Sequence, residues 1–214
     1  MNVKTFVLGP IQTSCYIAYQ ADNGNAIIID AGGDPAEMIR FIKQHELTPL
    51  FLVNTHGHID HILGNPQLKK AFPKMQICIH TADTPMLAES KFNLATELGF
   101  EFTSPEPDKL LDEDDTLLLG TSKTDAFKVL HLPGHTKGGI GLVYRHKKDP
   151  CLLFSGDALF AGSIGRTDFP GGSLSELVNN IKKKVLTLPD DTVVYPGHGP
   201  STTVGDEKHS NPFL

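Results

Sequence analysis

Residues 55–61 read Thr55-His56-Gly57-His58-Ile59-Asp60-His61, so four side chains of metal-ligand type lie within six residues. Imidazole and carboxylate groups bind borderline divalent metals and leave coordination positions open for water. Three further candidates each follow a glycine, in Gly134-His135, Gly156-Asp157 and Gly197-His198. Seven ligands are too many for one tetrahedral ion and indicate two adjacent ions that share one carboxylate. The pattern is typical of a metal-dependent hydrolase.

The candidate ligands share one placement, because each follows a short apolar run. The runs are Leu50–Val53 before His56, Val129–Leu130 before His135, Leu152–Phe154 before Asp157 and Val193–Val194 before His198. Short apolar runs predict buried strands. Ligands at the ends of several strands converge on one edge of a scaffold, where loops can hold polar chemistry.

The remaining pattern predicts mixed strands and helices. Asn23-Gly24 predicts a hairpin, Asp34-Pro35-Ala36-Glu37 predicts a helix with Asp34 as its N-cap, and Ser173-Leu174-Ser175-Glu176 predicts a capping box that opens a helix to about Leu186. A further helix is predicted over Gln67–Phe72. The predicted strands are Val3–Leu8, Cys15–Tyr19, Ala26–Ile29, Leu50–Val53, Met75–Ile79, Thr116–Leu119, Ala126–Leu130, Gly141–Tyr144, Leu152–Phe154 and Thr192–Tyr195.

Length and composition predict one ordinary globular domain. The 214 residues are 39% hydrophobic and 21% charged, which is enough to bury a substantial core. The net charge of −6 argues against a nucleic-acid partner, because phosphate binding requires clustered lysine and arginine. The densest basic run, Lys182-Lys183-Lys184, falls in an amphipathic helix and is expected to be a solvated face.

Cysteine usage and hydropathy indicate the compartment. No segment approaches about 20 apolar residues, so no membrane span is expected, and Met1–Phe6 lacks the features of a secretory signal. Cys15, Cys78 and Cys151 are odd in number and widely spaced, which predicts buried free thiols in a reducing compartment. We expect a cytoplasmic protein, and the sequence does not determine its oligomeric state.

The ordered motifs resemble those of the metallo-β-lactamase superfamily, and they run from Asp30 to His198. Within it, Ser155–Phe160 followed by Gly165–Phe169 resembles the glyoxalase II and persulfide dioxygenase branch, and Pro196–Thr203 is similar to short bacterial glyoxalase II-like hydrolases. The resemblance implies an α/β fold, an αββα four-layer sandwich of two mixed sheets with helices on the outer faces. It implies a single domain over residues 1–214, without an appended C-terminal helical substrate domain.

The candidate ligands divide between two ions. His56 and His58 are two residues apart, so in extended chain they point the same way and can chelate one ion. His135 would complete this first set, Asp60, His61 and His198 would form the second, and Asp157 would bridge them. Asp60, Asp157 and Asp30 are the catalytic candidates.

Two kinds of supporting residue are expected. Asp30 follows the apolar run Ala26–Ile29, and the resemblance implies that it hydrogen-bonds a metal ligand; a loop-capping role is the alternative. Arg166 could hold a substrate carboxylate, with a structural salt bridge to Asp168 as its alternative. Tyr195 and Lys137 are further substrate candidates.

The favoured function is thioester hydrolysis of glyoxalase II type. A water bridging two divalent ions loses a proton near neutrality and becomes a hydroxide nucleophile. A thiol leaving group, with a pKa of about 8.5, needs little acid assistance. The substrate would be a small S-acyl, glutathione-like thioester, and the cofactors two divalent ions, with zinc favoured and iron or manganese possible.

Other functions remain open. A mononuclear iron persulfide dioxygenase would need only His56, His135 and Asp157. A metal-stabilised binding module without activity is disfavoured, since seven ligands exceed the four of a structural zinc site. A secreted β-lactamase is disfavoured by the lack of a signal peptide and by Asp157 in the bridging place. In the longer glyoxalase II enzymes of the resembled branch, basic residues of a helical segment after the final metal histidine bind glutathione. Here sixteen residues follow His198, with Lys208 as the only lysine or arginine, so a poor Michaelis constant for glutathione thioesters is expected.

Overall fold

The computed structural model describes residues 1–120, 125–146 and 150–214. The chain divides into two compact units, Met1–Leu110 and Leu111–Leu214. A mixed six-stranded sheet forms the framework of each unit. The predicted α/β class with two mixed sheets is therefore confirmed.

The first unit contains a sheet in the order β1-β2-β3-β4-β5-β6. Strands β1 to β3 are antiparallel neighbours, while β3, β4 and β5 run parallel. The strands are β1 Asn2–Leu8, β2 Thr13–Tyr19, β3 Asn25–Ile29, β4 Thr48–Val53, β5 Gln76–His80 and β6 Lys109–Leu111, and the helices are α1 Ala36–Gln44, α2 Ile59–Ile62, α3 Asn65–Ala71 and α4 Thr84–Ala88. Short 3₁₀ turns occupy Thr81–Asp83 and Thr96–Leu98.

The core of the first unit forms between its helices and its sheet. Met38 and Ile42 lie one turn apart on α1 and are fully buried. They belong to one hydrophobic cluster with Ile17, Ile28 and Leu52, on neighbouring strands β2, β3 and β4. Residues one turn apart share a helix face, so the apolar stripe of α1 covers this face of the sheet and holds β3 and β4 in place.

The second unit contains a sheet in the order β14-β13-β10-β9-β8-β7, with a separate β11–β12 hairpin. The strands are β7 Thr116–Leu118, β8 Ala126–His131, β9 Ile140–Tyr144, β10 Leu152–Gly156, β11 Leu159–Phe160, β12 Ser163–Ile164, β13 Val193–Pro196 and β14 Thr202–Thr203. The helices are α5 Leu174–Asn180, continued by a π-helical turn over Ile181–Val185, and α6 Val204–Ser210. Leu177, Ile181 and Val185 pack in a hydrophobic cluster with Leu153 and Val194 of the sheet.

Strand direction determines where the candidate ligands emerge. Because β3 and β4 are parallel, Asp30 and the stretch 55–61 leave the same edge of the first sheet. In the second sheet β8, β10 and β13 run in one direction, since β9 is antiparallel to both β8 and β10 and β13 is parallel to β10. His135, Asp157 and His198 therefore follow strands that end at one edge, which confirms convergence within each sheet.

The two predicted helix caps, Ser173 and Asp34, have different outcomes. Ser173 caps α5, and its side chain accepts from the Glu176 amide at 3.4 Å, which is one half of the predicted capping box; the Ser173 amide donates to the Gly134 carbonyl at 2.8 Å instead of to Glu176. The N-cap prediction for Asp34 was wrong by one residue, because Pro35 occupies that position and α1 begins at Ala36. The Asp34 carboxylate still accepts from the Ala36 amide at 3.0 Å, so it stabilises the start of α1 although it lies one residue before the N-cap.

The structure bears on two further expectations. Among the described residues, no helix is both long and apolar enough to cross a membrane. The three cysteines are free thiols, as predicted; Cys15 and Cys78 are buried, whereas Cys151 is only partly buried.

Candidate functional site

Two histidines of the first unit direct ring nitrogens toward each other. His56 and His58 are buried, and His56 Nε2 lies 3.0 Å from His58 Nδ1. The rings are nearly perpendicular, at 89°. The Thr55 hydroxyl donates its only hydrogen to Asp30 Oδ2 at 2.8 Å, so at 3.2 Å from His56 Nδ1 it can only accept. The proton of His56 therefore lies on Nδ1, and Nε2 carries the lone pair that a metal requires.

Asp60 and His61 lie together on the single turn of α2. Asp60 Oδ2 is 3.5 Å from His61 Nε2, and the Thr13 hydroxyl donates to the same carboxylate oxygen at 3.2 Å. The rings of His56 and His61 are also close, with centroids 4.1 Å apart. Ligand atoms of three pairs, His56 with His58, His56 with His61 and Asp60 with His61, lie within 4.8 Å of each other, so each predicted ligand of this unit has another beside it.

Asp30 orients the ligands of the first unit through hydrogen bonds to Thr55 and His61. Its carboxylate accepts from the Thr55 amide at 2.7 Å, from the Thr55 hydroxyl at 2.8 Å and from His61 Nδ1 at 2.9 Å. A carboxylate is an acceptor, so the imidazole proton of His61 lies on Nδ1 and leaves Nε2 as the ligand atom. Asp30 adopts φ of 59°, a left-handed conformation that aspartate tolerates better than most residues. This geometry matches the supporting role implied for Asp30.

Several buried polar residues support the ligands without having been singled out from the sequence. Asn54 donates to the His61 carbonyl at 3.1 Å and exchanges side-chain hydrogen bonds with Asn65. The Gly57 amide donates to Asp83 Oδ2 at 3.3 Å. Thr13 lies in strand β2, where a threonine is ordinary and carries no signal of this role. Only the fold shows that these side chains lie beside the ligands.

The second unit brings its three candidates around one carboxylate. Asp157 Oδ2 lies 3.7 Å from His135 Nε2 and 3.6 Å from His198 Nε2. His135 Nδ1 lies 2.7 Å from the carbonyl oxygen of Arg166. Because a carbonyl only accepts, the proton of His135 lies on Nδ1 and Nε2 is the ligand atom. Asp157 thus stands between two imidazole nitrogens, as expected of a shared ligand.

These separations fit metal ligation better than hydrogen bonding. The three nitrogen–oxygen distances, 3.5, 3.7 and 3.6 Å, exceed the usual 2.7–3.2 Å of a hydrogen bond. Two ligand atoms that each lie about 2.1 Å from one tetrahedral ion are roughly 3.4 Å apart. Imidazole nitrogens and carboxylates of this arrangement suit a borderline divalent ion. The donor atoms of these three pairs therefore fit such an ion, whereas the 3.0 Å between His56 Nε2 and His58 Nδ1 lies within the hydrogen-bond range.

Two glycines allow the second set to pack closely. A Cβ on Gly165 would lie 1.8 Å from the Asp157 carbonyl oxygen and 3.4 Å from His135 Cβ. Gly134 has φ of 131°, and a Cβ there would lie 2.4 Å from the Leu177 amide nitrogen. Neither position accommodates a side chain without backbone movement, so both glycines are needed where the ligands approach other backbone.

Arg166 shows the salt bridge that was the alternative to substrate binding. Its Nε and Nη2 donate to the two oxygens of Asp168 at 2.8 and 2.7 Å, and its guanidinium lies 3.8 Å from the centre of the Phe169 ring. Hydrogen bonding from Arg166 lowers the pKa of Asp168 to about 2. The guanidinium is exposed but engaged, so any substrate carboxylate would have to compete with Asp168 or share the cation.

The other two substrate candidates have structural contacts. Tyr195 is half-buried and stacks on Phe154, with ring centroids 5.1 Å apart, and burial raises its pKa. Lys137 is exposed, and its carbonyl oxygen lies 2.9 Å from His131 Nε2. That contact gives His131 a structural role in the segment that leads to His135. Substrate binding by Tyr195 and Lys137 stays a prediction.

Comparison with known proteins identifies the family. Residues 8–198 match the family model of the metallo-beta-lactamase superfamily, a span that includes every candidate ligand. The chain belongs to this superfamily. Its α/β architecture of two mixed sheets with helices is the metallo-β-lactamase fold, which confirms the predicted fold class, and membership makes the chain a metal-binding hydrolase of that superfamily.

Individual relatives of the superfamily match along the whole chain. Hydroxyacylglutathione hydrolase GloC of Haemophilus influenzae is 39% identical over 217 residues, which cover 100% of this chain and 98% of the relative. The crystal structure of the BLEG-1 B3 metallo-beta-lactamase has a TM-score of 0.91 at 40% identity and covers 100% of this chain and 99% of that one. TTHA1623 in a di-iron-bound form has a TM-score of 0.83 at 35% identity, with 99% and 100% covered.

Proposed function

We propose that this superfamily member is a metal-dependent thioester hydrolase of glyoxalase II type. The orientation of the donor atoms carries the proposal. Asp30 and the Arg166 carbonyl hold the Nδ1 protons of His61 and His135, so both rings present Nε2 as a ligand. Full-length similarity to a hydroxyacylglutathione hydrolase supports a small S-acyl thiol as the substrate.

The proposed ligands are those predicted from the sequence. One divalent ion would be held by His56, His58 and His135, a second by Asp60, His61 and His198, with Asp157 shared. Zinc is proposed first because imidazole and carboxylate suit it. Iron is the alternative, since TTHA1623 occurs in a di-iron-bound form. The free thiols support the further proposal of a reducing, cytoplasmic location.

The chain's own groups would prepare the site for acyl transfer to water. When bound, divalent ions lower the pKa of water and polarise a carbonyl group. Thr13 holds one oxygen of Asp60 by its hydroxyl at 3.2 Å, which limits the rotation of that carboxylate. Asp30 retains the proton on His61 Nδ1. No protein acid is required for the leaving group, because a thiol with a pKa of about 8.5 can leave as the thiolate without being protonated.

A second candidate function is β-lactam hydrolysis. BLEG-1 is named a B3 metallo-beta-lactamase, and its 40% identity extends over the whole chain. An amide-type nitrogen is a poorer leaving group than a thiolate, so lactam cleavage places greater demands on proton delivery. We therefore propose the thioester as the preferred substrate and treat the lactam as the competitor.

The test combines metal analysis with three assays on the same purified protein. Thiol release from S-lactoylglutathione, hydrolysis of a chromogenic cephalosporin and oxygen uptake with a glutathione persulfide are measured before and after chelation. We expect about two divalent ions per chain, thioester turnover that is abolished by chelation and restored by metal, and a kcat/KM at least about tenfold higher than for the cephalosporin, a difference of about 1.4 kcal/mol.

The other outcomes discriminate among the alternatives. One iron per chain with oxygen uptake would establish the persulfide dioxygenase, and a higher kcat/KM for the cephalosporin would establish the lactamase. Metal binding with none of the three activities would support a binding module. Asp157→Ala should lower metal content and all turnover, whereas the control Asp190→Asn removes an exposed carboxylate paired with Lys208 and should change neither.

A further inference from the structure

We infer that Glu207 and Asn211 of helix α6 are positioning residues that hold the β11–β12 hairpin, and through it the ligands of the second unit. The inference rests on the proposed function, because it takes His135, Asp157 and His198 as metal ligands. Neither Glu207 nor Asn211 contacts a ligand. Their action is on the hairpin, which together with Gly165 and Arg166 lies against all three.

The hairpin and the two residues that follow it contact the three proposed ligands. It begins two residues after Asp157, and the Gly165 that follows it packs against the Asp157 backbone so closely that a Cβ would lie 1.8 Å from the carbonyl oxygen. Phe160 meets the His198 ring edge-on at a centroid distance of 6.1 Å. Arg166, next in the chain, accepts from His135 Nδ1 at 2.7 Å. Displacement of the hairpin would therefore alter the whole set.

The hairpin is too short to hold itself in place. It has two residue pairs, Leu159 with Ile164 and Phe160 with Ser163, and isolated two-stranded hairpins are marginally stable at best. Gly162 at its turn has φ of 69° and is exposed. External contacts must therefore fix the tip.

Glu207 and Asn211 supply those contacts at the tip. Glu207 Oε2 accepts from the Gly162 amide at 2.9 Å and from Asn211 Nδ2 at 2.7 Å, and Oε1 accepts from the Thr202 hydroxyl at 2.7 Å. Asn211 Nδ2 also donates to the Ser163 carbonyl at 3.0 Å. Glu207 therefore binds a backbone donor of the turn, the Gly162 amide, and Asn211 binds a backbone acceptor, the Ser163 carbonyl.

The chemistry of this contact requires a carboxylate. Glu207 is only 2% exposed, and burying a charge is costly unless its oxygens are hydrogen-bonded. Its three donors are all neutral, so both oxygens must accept. Glutamine has one accepting oxygen and would turn an NH₂ group toward a donor. Only a carboxylate at this position can accept from the Gly162 amide, the Thr202 hydroxyl and the Asn211 amide group at the same time.

The helix that carries these residues has its own anchors. Thr203 is the N-cap of α6, and its hydroxyl accepts from the Asp206 amide at 3.1 Å. Val204 is fully buried in the core cluster of the second unit. A change at Glu207 should thus leave α6 folded while it loosens the turn of the hairpin, whose strand residues Leu159 and Ile164 pack in the same cluster. Asp206, the neighbouring carboxylate, is exposed and receives the Thr203 hydroxyl at 2.8 Å, which makes it a matched control.

The test uses cobalt(II) alone as the probe, bound to the full chain in place of the native ion. Visible absorption reports the geometry of the ligands, and competition with a chelator gives the dissociation constants. We expect Glu207→Gln to weaken cobalt binding by about 10- to 100-fold, as for partners that orient metal ligands, and to change the absorption spectrum. Asn211→Ala should act in the same direction, and Asp206→Asn should leave both readouts at the parent values.

The outcomes separate this inference from the proposed function. If the parent binds no cobalt and hydrolyses no thioester, the proposed function is wrong. If the parent does both and Glu207→Gln retains its spectrum and affinity, the positioning role is wrong, even where thermal unfolding of the metal-free protein shows a loss of stability. Should Glu207→Gln fail to fold, Asn211→Ala, which keeps the carboxylate, decides by the same criteria.

Discussion

Asp30→Asn should weaken metal binding although Asp30 is not a proposed ligand. The substitution preserves size, and asparagine tolerates the left-handed φ of 59° at this position. It replaces one acceptor oxygen by an NH₂ group. The Thr55 amide at 2.7 Å can keep its bond to the remaining oxygen, so the NH₂ group falls where His61 Nδ1 donates at 2.9 Å.

The loss follows from where the His61 proton can lie. With an amide NH₂ opposite Nδ1, the ring must move its proton to Nε2 to keep a hydrogen bond, and a protonated Nε2 cannot ligate. If the proton stays, two donors face each other and a charge-assisted hydrogen bond of about 1.5–3 kcal/mol is lost. Removal of such a partner costs metal affinity about 10- to 100-fold, which corresponds to about 1.4–2.7 kcal/mol.

The assay is zinc titration against a chelating dye at neutral pH, on parent and variant stripped of metal. The control is Asp34→Asn, which removes an exposed carboxylate that accepts only a helix-start amide, at 3.0 Å. It should match the parent. Thermal unfolding of the metal-free proteins shows whether Asp30→Asn remains folded. A folded variant that binds both ions within twofold of the parent would refute the proton-placement reasoning.

Three other predictions follow from the packing and the charges. Gly165→Ala should lower the melting temperature by more than about 6 °C, since its Cβ would overlap the Asp157 carbonyl. A Cβ at position 162 would meet no atom within 4 Å, so Gly162→Ala should lower the free energy of unfolding by only about 1–2 kcal/mol, the cost of placing alanine at φ of 69°. An equal loss of stability in both variants would contradict the packing argument. The Asp168 carboxyl should titrate near pH 2 in a carbon-detected NMR experiment. Its ion pair with Arg166 therefore contributes stability above about pH 4, lost as the pH falls through 2, and Arg166→Met should return the pKa toward about 3.9. Burial raises the pKa of Cys15 and raises that of Cys78 to about 12, so a thiol reagent should modify Cys151 first in the folded protein; rapid labelling of Cys15 would show that the core opens.

The elements that the sequence predicted well are those with a strong local signal. Strand β4 was predicted as Leu50–Val53 and is Thr48–Val53, and the Ser173 cap opens its helix as expected. Helices α4 and α6 were not predicted. Helix α4 has five residues and contains Pro85, and α6 is mostly polar, with Val204 as its only apolar residue. Neither shows the repeated apolar spacing that identifies an amphipathic helix.

The hairpin around Gly162 shows why short elements escape prediction. No strand was predicted between Phe154 and Thr192, and the structure has strands of two residues on either side of the turn at Gly162. Period-two alternation needs at least about four residues to be recognised. The amide at its turn donates to Glu207 of α6, 45 residues later in the chain, so a contact that supports the hairpin is not local.

The sequence by itself determined which side chains are available for metal binding, because ligand chemistry belongs to residue types and strand ends are visible as apolar runs that stop at His56, His135, Asp157 and His198. Tertiary structure alone decided how each ligand is oriented. The proton of His61 is placed by Asp30, 31 residues away, and that of His135 by a carbonyl also 31 residues away. For Arg166 the sequence left two roles open, binding a substrate carboxylate or a salt bridge to Asp168, and the structure shows the salt bridge. Hydrogen bonds between distant residues depend on how strands and helices pack, and no local pattern encodes that packing.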